Sequence, residues 1–159
     1  MVNLFRIFHV FFASMTLALL PVMMILRRKI AMSKGTPAEL TTMGTMLWIG
    51  RLMGMVGGLG LLLTGGALTG IETYKWFSFS EFPWLAWKQT IFVVILIINF
   101  AFMMPSSKKM EALMNKQEAS GGLATDEIRA LGAKLGMFGM IMNLLALAAM
   151  TLGVSKGIF

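Results

Sequence analysis

The chain has 159 residues, 57% of them hydrophobic and 13% charged, where a soluble domain carries roughly 25% charged residues, so too little polar surface exists for a water-soluble globule and most of the surface must face lipid. The net charge of +7 would suggest nucleic acid in a soluble protein. Here the basic residues sit at the ends of apolar runs, which excludes nucleic acid as the partner and points to membrane topology and anionic lipid.

A helix that crosses the hydrocarbon needs about 20 mostly apolar residues. Four runs meet that length, at about residues 4–26, 41–68, 85–104 and 128–154. They predict an all-α, polytopic membrane four-helix bundle in which residues 1–159 form a single integral membrane domain. The first run is too long for a cleaved signal and lacks a small-x-small site before a polar stretch. The third run meets Pro105, which predicts that the helix stops there. Thr125 is the expected N-cap of the fourth, with Asp126 and Glu127 set favourably against the helix dipole.

The connections carry the orientation. Loop 27–40 holds Arg27, Arg28, Lys29 and Lys34, and loop 105–127 holds Lys108, Lys109 and Lys116. Between runs two and three the only base is Lys75, accompanied by Glu72 and Glu81. Basic loops stay in the cytoplasm, so the first and third loops are expected inside, and both termini outside. The middle loop is aromatic, with Tyr74, Trp76, Phe77, Phe79, Phe82 and Trp84. It reads either as an interfacial belt or as a re-entrant, surface-lying segment. Met110, Leu113 and Met114 recur at helical spacing beside Lys108, Lys109 and Lys116, which predicts a short amphipathic helix on the cytoplasmic membrane surface.

Absence of cysteine removes disulfides, thiolate metal sites and iron–sulfur clusters. With one histidine, a bis-histidine site within one chain is excluded, and no soluble-enzyme motif is present. No Asp or Glu lies inside a run, which argues against a carboxylate proton relay. Polar residues at depth are His9, Arg51, Lys88, Gln89, Asn99, Lys134 and Asn143, and each is a functional candidate because such groups are costly in hydrocarbon. His9 and Lys88 lie at matching depth near the outer surface and can face one another. Lys88 and Lys134 are also able to snorkel to the interface. Arg51 counts as near the midplane, without an acidic partner in any run. Its charge must then be met by water, helix-end carbonyls, a partner's carboxylate or an anionic ligand.

Small residues mark two faces. Gly50, Gly54 and Gly58 form a stripe on run two, and Gly132, Gly136 and Gly139 one on run four. Small-x-x-x-small spacing lets helices approach closely, so these two runs are expected to pack together or to hold something flat between them.

Three features together resemble a known group: a histidine early in run one followed by Leu20-Pro21 and a basic exit, an arginine in a glycine-rich run two, and Trp84-Leu85-Ala86-Trp87-Lys88 at the entry of run three. The set resembles the superfamily of small four-helix bacterial membrane proteins that includes the HemJ-type protoporphyrinogen oxidases, the CopD-like copper-resistance domains and uncharacterised members. The likeness covers most of the chain in topology and a handful of residues in motif. It implies a bacterial inner membrane, and haem b as cofactor with His9 as iron ligand and Lys88 as its essential companion. Three functions follow as expectations: a non-catalytic accessory subunit of a larger respiratory or photosynthetic complex, a haem-linked oxidoreductase, or a transporter. The first implies other membrane subunits, or further copies of the chain, as partners. The third is weakest, since no inverted repeat or acidic pathway residue is present.

Overall fold

The computed structural model describes residues 2–154, which form an all-helical chain. Helix α1 is Val2–Met32, α2 is Pro37–Ile71, α3 is Pro83–Ile98, α4 is Met104–Ala119 and α5 is Asp126–Val154, with a π-helical turn, Asn99–Met103, joining α3 to α4. Four helical rods, with Pro83–Ala119 counted as one, are long and apolar enough to cross a membrane. Helix α1 packs along α2, and α3 along α5; α5 also touches α1, and α4 touches both α2 and α5. The two ends of the bundle differ. One, the basic end, carries loops 33–36 and 120–125; the other, the aromatic end, carries loop 72–82.

The expected stop at Pro105 is corrected: the third helix continues through it to Ala119. Proline lacks an N–H, and its ring clashes with the carbonyl four residues back. The π turn removes the conflict by shifting the register one residue beforehand, as Met104 donates its N–H to the Asn99 carbonyl. Pro105 then occupies the opening turn of α4, where no N–H is needed.

The expected surface-lying amphipathic helix is corrected in the same stroke. Its apolar face is as read, but that face meets protein. Met110 and Met114 of α4 are buried against Leu40 and Met43 of α2 and Ile128 and Leu135 of α5, with Ala124 completing the cluster. This cluster at the basic end is the hydrophobic core of the chain. Elsewhere burial takes another form. Beyond Met46, every buried residue of α2 is a glycine or a threonine. Helix α1 buries none of its described residues and α3 only Ala86.

The core explains a second correction, to the depth of Arg51. The Arg51 guanidinium meets Glu111 Oε2 at 2.7 Å and Ser107 Oγ at 3.4 Å, past the end of the third apolar run. The guanidinium therefore reaches toward the basic edge of the hydrocarbon, while the Arg51 backbone lies about a turn inside, beside Gly50 and opposite Met23. The first residues of α2 are apolar because protein covers them, not because they cross lipid. From Leu52 to Ile71 the helix spans about 30 Å at 1.5 Å per residue, the thickness of the hydrocarbon. Arg27 bonds the Gly136 carbonyl, beside Lys134. Arg27, Lys108 and Lys134 thus lie toward the basic end of their rods, and Arg51, about a turn deeper by its neighbour Gly50 facing Met23, reaches that end through its side chain. Thr125 acts as N-cap as expected, its hydroxyl accepting the Ile128 N–H at 3.4 Å.

Substitutions should separate the two kinds of burial. Ile128, fully buried, should cost about 3 kcal/mol on truncation to alanine. Leu63, 70% exposed on the lipid-crossing part of α2, should cost within about 0.5 kcal/mol. Denaturant titration of the protein in detergent, followed by circular dichroism, measures both; equal costs would refute the placement of the core.

Candidate functional site

Helices α1 and α2 run antiparallel in a fixed register. Arg6 bonds Glu72 at 2.6 Å. The His9 ring lies against Gly65, where an added Cβ would sit 3.3 Å from Cε1. The Phe12 ring lies on Gly60, Thr16 Oγ1 would be 2.6 Å from a Cβ at Gly57, and the Met23 methyl would be 3.5 Å from one at Gly50. Glycines therefore do let α2 approach a neighbour closely, but the neighbour is α1. The stripe read from the sequence divides accordingly. Gly50 faces α1, while a Cβ at Gly54 or Gly58 would meet nothing within 4 Å. On α5, Gly132 faces the Met110 methyl, Gly136 seats the Arg27 guanidinium, and Gly139 faces open space. The expected packing of run two on run four is confined to the basic end, where Arg129 reaches Glu39. Gly57, Gly60 and Thr64 stand outside the stripe expected from the sequence and form the seam with α1. Their signal is the seven-residue step Gly50, Gly57, Thr64, which matches His9, Thr16 and Met23 on α1.

At the aromatic end, His9 Nδ1 lies 2.9 Å from Thr64 Oγ1, and that hydroxyl is 2.6 Å from the Gly60 carbonyl. A hydroxyl has one proton, and a carbonyl can only accept. Thr64 therefore donates to Gly60 and accepts from His9 Nδ1–H. This fixes the neutral tautomer and leaves Nε2 as a lone-pair site. Lys88 lies within electrostatic range of the ring, as its depth predicts. Its ammonium stands 5.9 Å from the Trp84 ring centroid and packs against Gly153 of α5. The structure thus gathers His9, Thr64, Lys88 and Trp84 at one end, with Arg51 far away at the other.

Loop 72–82 closes over this end. Tyr74 packs edge-on against Phe82 and Trp84, at 4.8 and 5.8 Å between centroids, and Phe79 against Trp87 at 5.4 Å. Thr73 and Phe77 adopt positive φ, 56° and 52°, a left-handed conformation costly for non-glycine residues. Phe77 is held there by donating its N–H to Gln89 Oε1 at 2.6 Å. Gln89 Nε2 is buried without a partner. Burial, and then the adjacent Glu72 carboxylate, raises the Tyr74 phenol above its ordinary pKa.

At the basic end Glu39 is the most enclosed charge. Its side chain is 2% exposed. Arg129 grips it through both carboxylate oxygens at 2.9 Å, and the Gly35 N–H adds a bond at 2.8 Å. One carboxylate thereby ties loop 33–36, α2 and α5 together. Arg51, expected to lack an acidic partner, has one in Glu111, contributed by the α4 extension. Among the predicted polar residues, Lys134 is exposed, Asn143 is buried in α5, and Asn99 opens the π turn. No family model, curated protein or solved structure matches the chain.

The grip on Glu39 has an ordered consequence. Glu39→Gln keeps a neutral hydrogen-bonding group and should cost about 1 kcal/mol. Arg129→Met strands a buried carboxylate, the worse outcome for a buried pair, and should lower the denaturation midpoint further. The reverse order would show that Arg129 does not neutralise Glu39.

Proposed function

We propose that this chain is a non-catalytic accessory subunit of a larger membrane complex, respiratory or photosynthetic, in a bacterial inner membrane. One observation carries the reading. Among the described residues of the lipid-crossing part the rods bury no large aliphatic or aromatic side chain, and the glycine positions 54, 58 and 139 face open space. Close approach between membrane helices is the use of such positions, and this chain alone does not use them. Partner helices seated there would complete the packing. Gly54→Leu with Gly58→Leu is thus expected to leave the chain's own α1–α2 seam intact. It should strip partner subunits from complexes extracted in mild detergent and sized by native electrophoresis; unchanged complexes would remove the argument.

A second reading, a haem-linked oxidoreductase like the HemJ-type protoporphyrinogen oxidases, is favoured by His9. Its Nε2 lone pair is free of the Thr64 bond, and Lys88 is near. These residues suit a single axial iron ligand with a cation beside it, and no more than that. The absorption spectrum of the same extract decides between the readings. A Soret band lost in His9→Ala supports the enzyme, and its absence leaves the subunit.

In either reading the basic end is cytoplasmic, because the loops there carry the lysines and arginines. The cysteine-free sequence makes this testable with one introduced thiol at a time. Ser80→Cys should react with an impermeant maleimide from the periplasmic side and Ser120→Cys should not. The opposite pattern inverts the orientation.

A further inference from the structure

Between the basic ends of α1, α2 and α5 lies an open-sided groove of about 630 Å³. Its polarity changes along the membrane normal. At the mouth stand Lys34, Glu39 and Arg129; further in, Arg27 stands level with Met46 and Met137; about one turn deeper, Met140 and Ile141 continue the wall. Helices α2 and α5 both start at the basic end, so those higher-numbered residues point toward the membrane centre.

The charges do not cancel. Arg129 is bonded to Glu39 and Asp126, and Lys34 lies within electrostatic range of the same Glu39 carboxylate. Neither Arg27 nor Lys34 forms an ion pair among the described residues. Arg27 is held in place by a backbone group alone, donating through Nη2 to the Gly136 carbonyl. Only glycine allows this seat, since a Cβ at 136 would lie 2.5 Å from Nη2. The rest of the guanidinium fork remains for an acceptor, and guanidinium matches phosphate geometry.

We propose that this groove binds an anionic phospholipid, its phosphate on Arg27 and Lys34 and an acyl chain along the methionine wall. Three cations, Arg27, Lys34 and Arg129, against the one carboxylate of Glu39 leave the groove's lining positive above an apolar wall, which is complementary to that amphiphile, and an acidic protein segment would have no use for the wall. Methionine's flexible thioether suits a chain without fixed shape. The inference is independent of whether the protein is a subunit or an enzyme.

The test uses the full chain reconstituted in vesicles of equal parts phosphatidylcholine and phosphatidylglycerol, gently extracted, with retained lipid measured by mass spectrometry. The wild type is expected to retain phosphatidylglycerol selectively. Arg27→Gln and Lys34→Gln should each reduce that selectivity about fivefold, the effect of one basic side chain on anionic lipid. Arg28→Gln with Lys29→Gln, two adjacent basic residues outside the groove, should leave it unchanged. Met140→Trp, at a 56% exposed position, fills the wall without touching charge or fold and should abolish retention even if the Arg27 variant fails to fold. Equal loss in the Arg28 and Lys29 control, or full retention in Met140→Trp, overturns the proposal. Displacement of the lipid by inorganic phosphate would show a phosphate site instead and overturn it equally.

Discussion

Apolar side chains gain nothing by leaving lipid for the interior of a protein, since hydrocarbon tails are as apolar as leucine. They gain a great deal by leaving water. That difference decides where this chain packs. Its large buried side chains, Leu40, Met43, Met110, Met114, Ile128 and Leu135, cluster at the basic end, where helices extend past the hydrocarbon and would otherwise meet water. Within the hydrocarbon the contacts that remain are of the kinds that still work there: glycine backbones under Phe12 and Thr16, and hydrogen bonds such as His9 to Thr64.

The two charged pairs at the basic end fit the same logic but differ in weight. Arg51 and Glu111 are each about half exposed, so solvent or headgroups screen them and their contribution is small. Glu39 is enclosed, and its carboxylate needs Arg129, with the Gly35 N–H, to replace its lost hydration. The first pair sets the level of α4 against α2. The second closes α2 onto α5 and, through Gly35, fixes the turn out of α1.

Much of the fold was legible because lipid imposes length. Four apolar runs give four rods, and the basic loops fall at one end. What was not legible follows from a shared ambiguity: a residue that faces a protein core reads like one that faces lipid. Residues 41–47 of α2 read as part of a span, which places Arg51 too deep and hides its partner Glu111. Pro105 was read as a stop because a sequence carries no sign that a π turn will precede it. The amphipathic spacing of Met110, Leu113 and Met114 was read correctly as a face, but spacing does not say whether a membrane or a helix covers it. For the candidate site, matching depth did bring His9 and Lys88 to one end. The tautomer of His9 depends on Thr64, whose one sequence signal is the seven-residue step it shares with Gly50 and Gly57.

The asymmetry between the ends also constrains where function can reside. The basic end is bound by a core, an enclosed ion pair and the α4 contacts, and is suited to hold geometry. The aromatic end is bound by polar and ring contacts: Arg6 to Glu72, His9 to Thr64, and Phe77 to Gln89. Two non-glycine residues there sit at positive φ, and the Gln89 amide has a donor with no acceptor. Strain and an unmet donor are costs, and a fold keeps such costs only where the rest of the structure enforces them. Both lie at the end of the bundle that carries His9 and Lys88. The packed basic end and the strained, polar aromatic end are therefore separate regions, joined by rods that leave Gly54, Gly58 and Gly139 open.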